Sequence, residues 1–529
     1  MSAASSLSEM LALQVRRSAD SCAFITNGRR ISYGELGLQV DAAAAWLTGQ
    51  GIRPGDRVAV WMVNRVEWLA LLFGASRIGA TVVAVNTRYR SAELQHILSG
   101  SGARLLVLQE RFRKINFLGL LAEVDPSAVP QLDAIAVVDG VECPPEMLGK
   151  PVTALTWPDS GTTGQRGACA PDQLAVLFAT SGTTRMPKLV MHSQRTLALH
   201  SQSIATAYGF DEAGTVVLGA LPLCGVFGLN PVLAALAVGA AVVVMEAFDG
   251  PEAACLIEQH CVSHLFGSDE LFRRLLDSDL PQRDFGSLRC CGFASFSAGA
   301  EQLVKDAGER GVPLVGLYGS SEVQALFALQ SRDKCSDGIE LGGGYPASGE
   351  ARVRIRDLET GELLGPGCSG MIEIAAPTNF SGYLNAPEAT ADAVDSEGYF
   401  RTGDVGYLRP DGSFVYLTRQ GDAIRLAGFL VNPAEIEDVI RQCPGVAGAQ
   451  VIGVDIEGEQ ACVAFVVPTQ PTAISEAEVL SCLENEIARF KLPRRVWFIN
   501  RFPVTESANG AKIQRAQLRQ MATDRLATS

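Results

Sequence analysis

Helical and strand periodicities alternate along residues 31–108. Apolar positions recur at helical spacing in some segments and run on without a break in strand-length segments between them, with Gly and Pro at the boundaries. The predicted helices are Ser32–Thr48, Trp68–Ile78 and Ser91–Gly100, and the predicted strands are Arg57–Met62, Thr81–Val85 and Ala103–Leu108. Strands and helices in turn predict βαβ units built on a parallel sheet.

The same alternation resumes at residue 174, after a stretch from residue 141 to 172 that is not periodic and gathers Pro, Gly and Ser. That stretch indicates a long connection. The strands predicted beyond it are Leu174–Ala179, Thr215–Leu218, Ala241–Met245 and Ser263–Phe266, and the helices are Gln194–Tyr208 and Pro251–Gln259. Two consecutive α/β lobes are therefore predicted, each with its own parallel sheet.

Short strands and turns replace this pattern from Gly344 onward. Ala351–Arg356 and Met371–Ala375 flank the turn Glu359-Thr360-Gly361, which predicts a small antiparallel β lobe. The last hundred or so residues have the pattern of a compact α+β domain. We place the boundary at Gly421, so that residues 1–420 form a large domain and residues 421–529 a small, mobile one.

Composition and charge narrow the functional class. A chain of 529 residues with 47% apolar positions is globular and exceeds one core, and a net charge of -14 argues against a nucleic-acid partner. The apolar segment Val232–Met245 is too short to span a bilayer, and Met1–Ser21 has no apolar centre. The thirteen cysteines contain no C-x-x-C pair, so we expect reduced core thiols in a cytoplasmic protein.

The strand at Leu174–Ala179 ends in a run of hydroxyl residues and one glycine, and a lysine follows closely. A glycine lets the main chain approach a ligand, hydroxyls donate hydrogen bonds, and a lysine supplies a mobile cation. The residues are Thr180, Ser181, Gly182, Thr183, Thr184 and Lys188. A Walker loop would need a second glycine and a Lys-Ser or Lys-Thr pair, so this pattern predicts a different phosphate loop; the alternative is a plain Ser/Thr-rich turn.

A second landmark lies at the end of an apolar strand and comprises Tyr318, Gly319, Ser320, Ser321 and Glu322. An aromatic ring beside a glycine turn can stack on a purine, and a carboxylate near a phosphate loop can hold Mg²⁺. Taken alone, Glu322 is also typical of an acidic residue at a helix N-terminus, and we expect a helix to begin there.

Two further residues have the chemistry to bind a nucleoside. Asp404 can accept hydrogen bonds from both ribose hydroxyls, and Arg419 can donate to ribose or phosphate. The alternatives are a turn cap for Asp404 and a solvated charge for Arg419. Near the end of the chain Lys512 follows a glycine-containing turn, and it too can be a solvated charge.

These motifs, in this order, resemble the adenylate-forming (AMP-binding) superfamily of acyl- and aryl-CoA synthetases, luciferases and peptide-synthetase adenylation domains. The matching segments are TSGTTxxPK at 180–188, YGSSE at 318–322 where the family has YGxTE, RTGD at 401–404, and the closing lysine Lys512. The resemblance covers about residues 20 to 520. The chain departs from the family's usual glycines at Arg185 and Leu189, and from its Asp or Lys hinge at Gly421.

The resemblance implies a two-step reaction. A small carboxylic acid displaces pyrophosphate from Mg·ATP to give an acyl-adenylate, and a thiol then takes the acyl group with loss of AMP. It assigns Glu322 to the metal ion, Lys512 to the reacting centre and Gly421 to the hinge. It assigns ATP or AMP contacts to Thr180, Ser181, Gly182, Thr183, Thr184, Lys188, Ala298, Gly299, Tyr318, Gly319, Ser320, Ser321, Asp404 and Arg419.

The resemblance also marks an acid pocket and a surface for the thioester step. The segment that borders the acid pocket comprises Cys224, Gly225, Val226, Phe227 and Gly228. The family commonly has an aromatic residue at Cys224 and histidine at Gly225, so the smaller residues here favour a wider acyl group or one that supplies its own packing; a plain strand-to-helix turn is the alternative. Arg425, Gly428 and Phe429 lie in the segment that the family turns toward the site of thioester formation.

Coenzyme A is the expected thiol, because the chain carries no carrier domain after Lys512 and has a basic cluster at Arg489, Lys491, Arg494 and Arg495. Two alternatives stay open: a stand-alone ligase that loads a carrier protein, and a catalytically weak nucleotide-binding regulatory protein. The sequence identifies neither the acid nor the oligomeric state, and a homodimer is left open.

Overall fold

The computed structural model describes the chain except for residues 1–3, 141–142, 158–169, 181–186, 278–282, 296–298, 332–337, 427–428, 457–458, 471–473, 485, 508–509 and 528–529. The α-helices of the described residues are α1 (Leu7–Arg17), α2 (Tyr33–Gly49), α3 (Val66–Ile78), α4 (Ser91–Ser101), α5 (Phe117–Ala122), α6 (Gln194–Ala207), α7 (Val226–Val238), α8 (Gly250–His260), α9 (Asp269–Leu275), α10 (Ala300–Glu309), α11 (Pro387–Ala393), α12 (Pro433–Gln442), α13 (Glu476–Glu484) and α14 (Arg515–Ala527).

The strands of the large domain and the small domain follow in chain order. They are β1 (Cys22–Thr26), β2 (Arg29–Ser32), β3 (Arg57–Trp61), β4 (Thr81–Ala84), β5 (Leu105–Gln109), β6 (Arg111–Phe112), β7 (Ile115–Asn116), β8 (Ala134–Val138), β9 (Glu146–Met147), β10 (Lys150–Ala154), β11 (Leu174–Thr180), β12 (Lys188–Ser193), β13 (Val216–Gly219), β14 (Ala241–Val244), β15 (His264–Ser268), β16 (Cys290–Ala294), β17 (Leu314–Ser320), β18 (Gln324–Leu329), β19 (Gly343–Pro346), β20 (Arg352–Arg356), β21 (Leu363–Leu364), β22 (Gly370–Ala375), β23 (Phe400–Leu408), β24 (Phe414–Arg419), β25 (Ile424–Leu426), β26 (Phe429–Val431), β27 (Val446–Ile456), β28 (Glu459–Pro468), β29 (Val496–Phe498), β30 (Val504–Ser507) and β31 (Gly510–Ile513).

The first sheet has eight strands in the order β12-β11-β4-β3-β5-β8-β10-β9. Strands β3, β4 and β5 pair in parallel, as predicted, and β8, β10 and β11 extend the parallel set, while β12 and β9 add antiparallel edges. Continuous apolar runs form these strands because helices cover both faces of a parallel sheet. The strand β10 lies within the stretch for which the sequence predicted only a long connection, and that part of the prediction was wrong.

The second sheet has fourteen strands in the order β2-β1-β14-β13-β15-β16-β17-β18-β19-β24-β23-β22-β20-β21. Its first half pairs in parallel from β1 through β17, and the pairs from β17 to β21 are antiparallel. The predicted antiparallel strands therefore exist, but they extend this sheet instead of forming a separate one. The N-terminal strand β1 also joins the second sheet, although its sequence neighbours belong to the first.

The helix expected after Glu322 is a strand. Three turn residues follow Ser320, and β18 then returns antiparallel to β17. The sequence Gln324–Leu329 is a short apolar run that suits a strand buried on both faces as well as one side of a helix, and all of its residues are buried. Glu322 consequently lies in a tight reversal between two strands, close to the carboxyl end of β17.

The small domain has the predicted α+β composition. Strands β27, β28 and β29 form a three-stranded sheet, and β25–β26 and β30–β31 form separate two-stranded pairs. Apolar residues of α12, α13 and the sheet make its core. Cys443, which caps α12, forms a disulfide with Cys482 of α13. The expectation that the cysteines are all reduced was therefore wrong for this pair. The two residues are 39 positions apart in the chain, so the sequence does not show that they lie close together.

Among the residues that the structure describes, no helix has both the length and the apolarity that crossing a bilayer requires. The apolar segment that the sequence singled out is the helix α7 followed by β14, and most of α7 is buried in the large domain. Burial of α7 matters for function because this helix begins at the predicted acid-pocket segment.

Candidate active site

A β-hairpin presents the predicted phosphate loop. Strands β11 and β12 pair antiparallel, and Thr180 and Lys188 are the last paired residues before the tip. Ser181, Gly182, Thr183 and Thr184 lie outside the described residues, so the structure fixes the two ends of the loop. Because β11 is also parallel to β4 in the first sheet, the tip leaves the carboxyl edge of a parallel sheet, where ligands bind in α/β folds.

Tyr383 connects the two charged residues that the sequence assigned to phosphate and metal. The ammonium group of Lys188 lies 4.8 Å from the centre of the Tyr383 ring. The Tyr383 hydroxyl donates to Oε1 of Glu322 at 2.9 Å. Burial raises the pKa of Tyr383, so this hydroxyl keeps its proton and remains a donor at neutral pH. The sequence reasoning missed Tyr383, although a glycine-aromatic pair at Gly382-Tyr383 was the available signal.

The carboxylate of Glu322 is held at both oxygens. The Ser320 hydroxyl donates to Oε2 at 2.9 Å, while Tyr383 occupies one site on Oε1. A carboxylate offers about four lone-pair positions, so positions remain for a further ligand. The phenylalanine that follows β22 fixes the backbone, because Phe380 N–H donates to the Glu322 carbonyl at 2.7 Å.

Asp404 and Arg419 meet across neighbouring strands. They are directly paired residues of β23 and β24, and Nε of Arg419 lies 3.0 Å from Oδ1 of Asp404. The Tyr318 hydroxyl donates to Oδ2 at 2.5 Å. Burial raises the pKa of Asp404, and the positive charge of Arg419 works against that rise. Tyr318 is buried against Phe414 and Tyr416, so the contact with Asp404 is a role that the sequence did not predict.

Gly299, assigned to the adenine rim, contacts the small domain. Its N–H donates to Oδ1 of Asp438 on α12 at 3.0 Å, and Arg441 holds the same carboxylate oxygen at 2.9 Å. Gly299 has a φ of 88°, which favours glycine because other residues rarely adopt that region. Its neighbour Ala298 lies outside the described residues. The two domains therefore touch at a segment that the sequence assigned to nucleotide binding.

The predicted acid-pocket segment turns from the end of β13 into α7. Gly225 is the N-cap of the helix, and Cys224, Val226, Phe227 and Gly228 are buried. Burial raises the pKa of the Cys224 thiol to about 11, so the group is neutral. A Cβ at Gly228 would lie 2.1 Å from the Pro222 carbonyl oxygen, so only glycine fits.

Asn64, which the sequence reasoning missed, lies in the loop after β3 of the first sheet and stabilises this turn. Its amide donates to the Leu221 carbonyl at 2.8 Å and accepts the Leu223 N–H at 2.8 Å. Asn64 is 157 residues away from Leu221 in the chain, and no local pattern signals such a contact. The acid-pocket segment is thus positioned from both sheets.

The residues assigned to the small domain are placed only in part. Arg425 and Phe429 lie on the hairpin β25–β26, with Gly428 and the side chains of both outside the described residues. Lys512 pairs with Thr505 in β30–β31, and its side chain is likewise outside the described residues. Arg515, three residues later, is anchored to Glu437 at 2.6 Å and to the Val451 carbonyl at 3.0 Å.

These observations place the two ends of the β11–β12 hairpin loop, the Glu322 carboxylate held by Ser320 and Tyr383, and the Asp404–Arg419 pair in the large domain. That arrangement on two large sheets, followed by a small α+β domain, defines an adenylate-forming enzyme.

Comparison with known proteins agrees. The family described as AMP-binding enzyme matches residues 11–384, and its C-terminal domain matches residues 435–509. The chain belongs to the AMP-binding enzyme family, which confirms the resemblance found in the sequence.

Several relatives extend over nearly the whole chain. It is 31% identical to 3-[(3aS,4S,7aS)-7a-methyl-1,5-dioxo-octahydro-1H-inden-4-yl]propanoyl:CoA ligase of Mycobacterium tuberculosis, over 96% of this chain and 97% of that protein. It is 30% identical to fatty acid–[acyl-carrier-protein] ligase ScoC of Streptomyces coeruleorubidus, over 94% and 92%. Among solved structures, ATP-bound MatB from Rhodopseudomonas palustris superposes with a TM-score of 0.80 at 27% identity, over 98% and 99%.

Proposed function

We propose that this chain is an ATP-dependent carboxylic acid–CoA ligase. It converts a carboxylic acid and ATP to an acyl-adenylate and pyrophosphate, and then transfers the acyl group to coenzyme A with release of AMP. The observation that carries the proposal is the contact chain from Lys188 through Tyr383 to Glu322, which places a cation and a carboxylate at the mouth of the phosphate hairpin.

The residues of the large domain bind and orient ATP. Thr180 and Lys188, with Ser181, Gly182, Thr183 and Thr184 between them, contact the phosphates. Asp404 accepts the ribose hydroxyls, because it is held by Tyr318 and Arg419 in a fixed orientation. Gly299 and Ala298 border the adenine, with Gly319 and Ser321 on the adjoining turn.

Glu322 suits a magnesium ion. Mg²⁺ in nucleotide sites is bound by one or two carboxylates together with substrate phosphates and water, and Glu322 has lone pairs left after its two hydrogen bonds. The ion would neutralise charge on the phosphates. Ser320 and Tyr383 keep the carboxylate oriented toward the hairpin.

The small domain, residues 421–529, supplies Lys512 to the reacting centre. A carboxylate that attacks the α-phosphate brings two anions together, and an ammonium group between them lowers the barrier without acting as a base. Gly421 is the hinge in this proposal. Its carbonyl accepts from Arg519 at 2.6 Å, and glycine has the widest range of backbone angles, which suits a hinge. Arg425, Gly428 and Phe429 face the site in the second step.

Coenzyme A is the proposed thiol. Arg489, Arg494 and Arg495 are exposed on the small domain and offer cations for a phosphorylated nucleotide, while Lys491 is paired with Glu435. The resemblance to a carrier-protein ligase favours a second candidate, in which a carrier thiol accepts the acyl group. We place the protein in the cytoplasm, where ATP and coenzyme A are supplied.

The acid enters beside the segment from Cys224 to Gly228. The relatives named above act on acids of different chemistry, a fused-ring propanoate and a fatty acid, and the small residues at Cys224 and Gly225 favour a wide acyl group here.

One experiment tests the proposal in two stages. ATP–pyrophosphate exchange is measured with a panel of aliphatic, alicyclic and aromatic acids, and the active acid is then incubated with coenzyme A or with a carrier protein. Exchange followed by acyl-CoA formation supports the proposal. Exchange with transfer only to the carrier supports the second candidate, and absence of exchange with every acid contradicts both.

A further inference from the structure

A buried pair of amide side chains lies beneath the reversal that carries Glu322. Asn230 of α7 and Gln324 of β18 are both 0% exposed. The Asn230 amide donates to Oε1 of Gln324 at 2.9 Å, and its oxygen accepts the Ala325 N–H at 3.1 Å. The Gln324 amide donates to the carbonyls of Thr196 and Thr378, at 3.0 Å and 2.9 Å. This pair therefore joins four segments of the large domain.

The backbone at this point is held in an unusual conformation. Gln324 has a φ of 68° and Leu326 a φ of 61°, a left-handed region that residues other than glycine rarely occupy. Such a conformation persists only when its surroundings impose it. Hydrogen bonds from Asn230 to Ala325 and from Gln324 to two neighbouring carbonyls supply that constraint.

Two buried histidines also hold this segment. Nε2 of His192 lies 2.7 Å from the Ser321 carbonyl, and Nε2 of His200 lies 2.7 Å from the Ala325 carbonyl. A carbonyl only accepts, so each Nε2 carries the proton and donates. Burial lowers the pKa of both histidines to about 4, so they are neutral donors at neutral pH.

The amide pair connects two parts of the candidate site. Asn230 lies two residues after Gly228, on the helix that begins at the acid-pocket segment. Gln324 lies two residues after Glu322. A shift at either side chain would therefore change the distance between the acid pocket and the carboxylate assigned to the metal ion.

We propose that Asn230 and Gln324 are positioning residues for adenylate formation, and that their hydrogen bond fixes the position of the acid-pocket helix α7 relative to the Glu322 reversal. This inference rests on the proposed function. The pair acts through Glu322 and the acid-pocket segment and does not touch the reacting atoms. Adenylate formation needs that relative position because the acid must approach the α-phosphate in line. Transfer of the acyl group from a finished adenylate does not need it.

The test compares Gln324→Met, Asn230→Leu and their double variant with Tyr208→Phe as the matched control. Tyr208 donates its hydroxyl to the Leu326 carbonyl at 3.1 Å, so the control also removes a hydrogen bond to β18, but at a residue two positions farther along the chain from Glu322 than Gln324. Each variant is assayed in ATP–pyrophosphate exchange and in acyl-CoA formation from supplied acyl-adenylate, and its melting temperature is measured.

We expect each single variant to lose exchange by up to about 100-fold while keeping acyl transfer from the adenylate within about threefold of wild type. The double variant should lose no more than the worse single variant, because the two side chains act as one unit. Tyr208→Phe should lower the melting temperature to a similar extent and keep exchange within about twofold.

Equal loss in both half-reactions, or exchange that follows the melting temperature in all variants, would overturn the inference and leave the proposed function standing. If Gln324→Met does not fold, Asn230→Leu carries the comparison with the same outcomes. Failure of wild type to exchange with any acid would overturn the proposed function and the inference with it.

Discussion

Tyr383 is the residue on which the cation and the carboxylate of the site depend together. Its ring lies under the Lys188 ammonium group, and its hydroxyl binds Glu322. Its own position is fixed because its N–H donates to the Thr390 hydroxyl at 2.9 Å. The Tyr383 ring thus contacts Lys188 and the hydroxyl binds Glu322, so a substitution that removes only the hydroxyl tests the second contact by itself.

Tyr383→Phe should keep the cation–π contact and remove the hydrogen bond to Glu322. Loss of a hydrogen bond to a charged group costs about 1.5–3 kcal/mol, so we expect ATP–pyrophosphate exchange to fall by roughly 10-fold or more. The magnesium concentration for half-maximal rate should rise. Tyr345→Phe is the control, because it removes a similar bond to Asp411 at an exposed position. Equal exchange rates in the two variants would contradict the role of Tyr383.

Asp404 gives the site a dependence on pH. Burial raises the pKa of this carboxyl and Arg419 opposes the rise, so protonation at low pH should remove its ability to accept two ribose hydroxyls. KM for ATP is therefore expected to increase as pH falls. In Arg419→Gln the pKa should rise further, and the increase in KM should begin at higher pH. Arg401→Gln, which faces Glu373 instead, is the control. A profile for Arg419→Gln that is not displaced would contradict the assignment.

The residues that sequence reasoning found and missed differ in one physical respect. Asp404 and Arg419 follow recognisable local motifs, and the strand pairing brought them into contact as the proposed roles need. Tyr383, Asn64 and Gln324 act through contacts with residues 61, 157 and 128 positions away, respectively. Nothing local in the chain signals such contacts, because they arise only when the sheets assemble.

At the scale of elements, the turn from β13 into α7 is a place where the backbone itself limits the sequence. Gly228 approaches the Pro222 carbonyl so closely that a Cβ would lie 2.1 Å from its oxygen. At Gly225, three residues earlier, a Cβ would lie 3.8 Å from the same oxygen, which is ordinary contact. The turn therefore has room for a side chain at Gly225 and none at Gly228.

Gly228→Ala is expected to lower the free energy of unfolding by about 1–3 kcal/mol, because the added methyl group must displace the Pro222 backbone. Gly225→Ala is the matched variant, and its stability should stay within about 0.5 kcal/mol of wild type. Thermal or denaturant unfolding of both variants checks the difference. Equal stability of the two variants would contradict the packing of this turn.

The elements show where pattern reading fails. The alternation of strands and helices in both lobes was predicted and is confirmed, because its periodicity is long and regular. The strand β18 was taken for a helix, since the five consecutive apolar residues Ala325–Leu329 fit both structures. The merging of the antiparallel strands with the second sheet depends on pairing between β19 and β24, which composition does not encode.

At the scale of the whole molecule, the small domain contacts the large one through particular polar groups. Asp438 of the small domain accepts from the Gly299 N–H at the predicted adenine rim. Within the small domain, Arg519 donates to the carbonyl of Gly421, the predicted hinge. Both involve backbone groups of the large domain or the hinge. Domains of one chain generally move relative to each other unless their interface is large and hydrophobic, and the proposed hinge at Gly421 requires such a motion.

The division of labour between the domains is the central claim. In the proposed account, the large domain holds ATP and the acid, and the small domain contributes Lys512 to the first step and the segment around Arg425 to the second. Lys512 lies at the end of the hairpin β30–β31, and Arg515 anchors the chain directly after it to the small domain through Glu437. The proposed motion of the small domain would therefore carry the lysine with it.

The most direct measurement is the rate of each half-reaction in Lys512→Ala, with Lys305→Ala on the exposed face of α10 as the control. The account predicts that Lys512→Ala loses ATP–pyrophosphate exchange by at least about 100-fold, the size of effect expected when a charge that stabilises the transition state is removed. Acyl-CoA formation from supplied acyl-adenylate should stay close to the rate of the control. Equal loss of both half-reactions, or full retention of exchange, would contradict it.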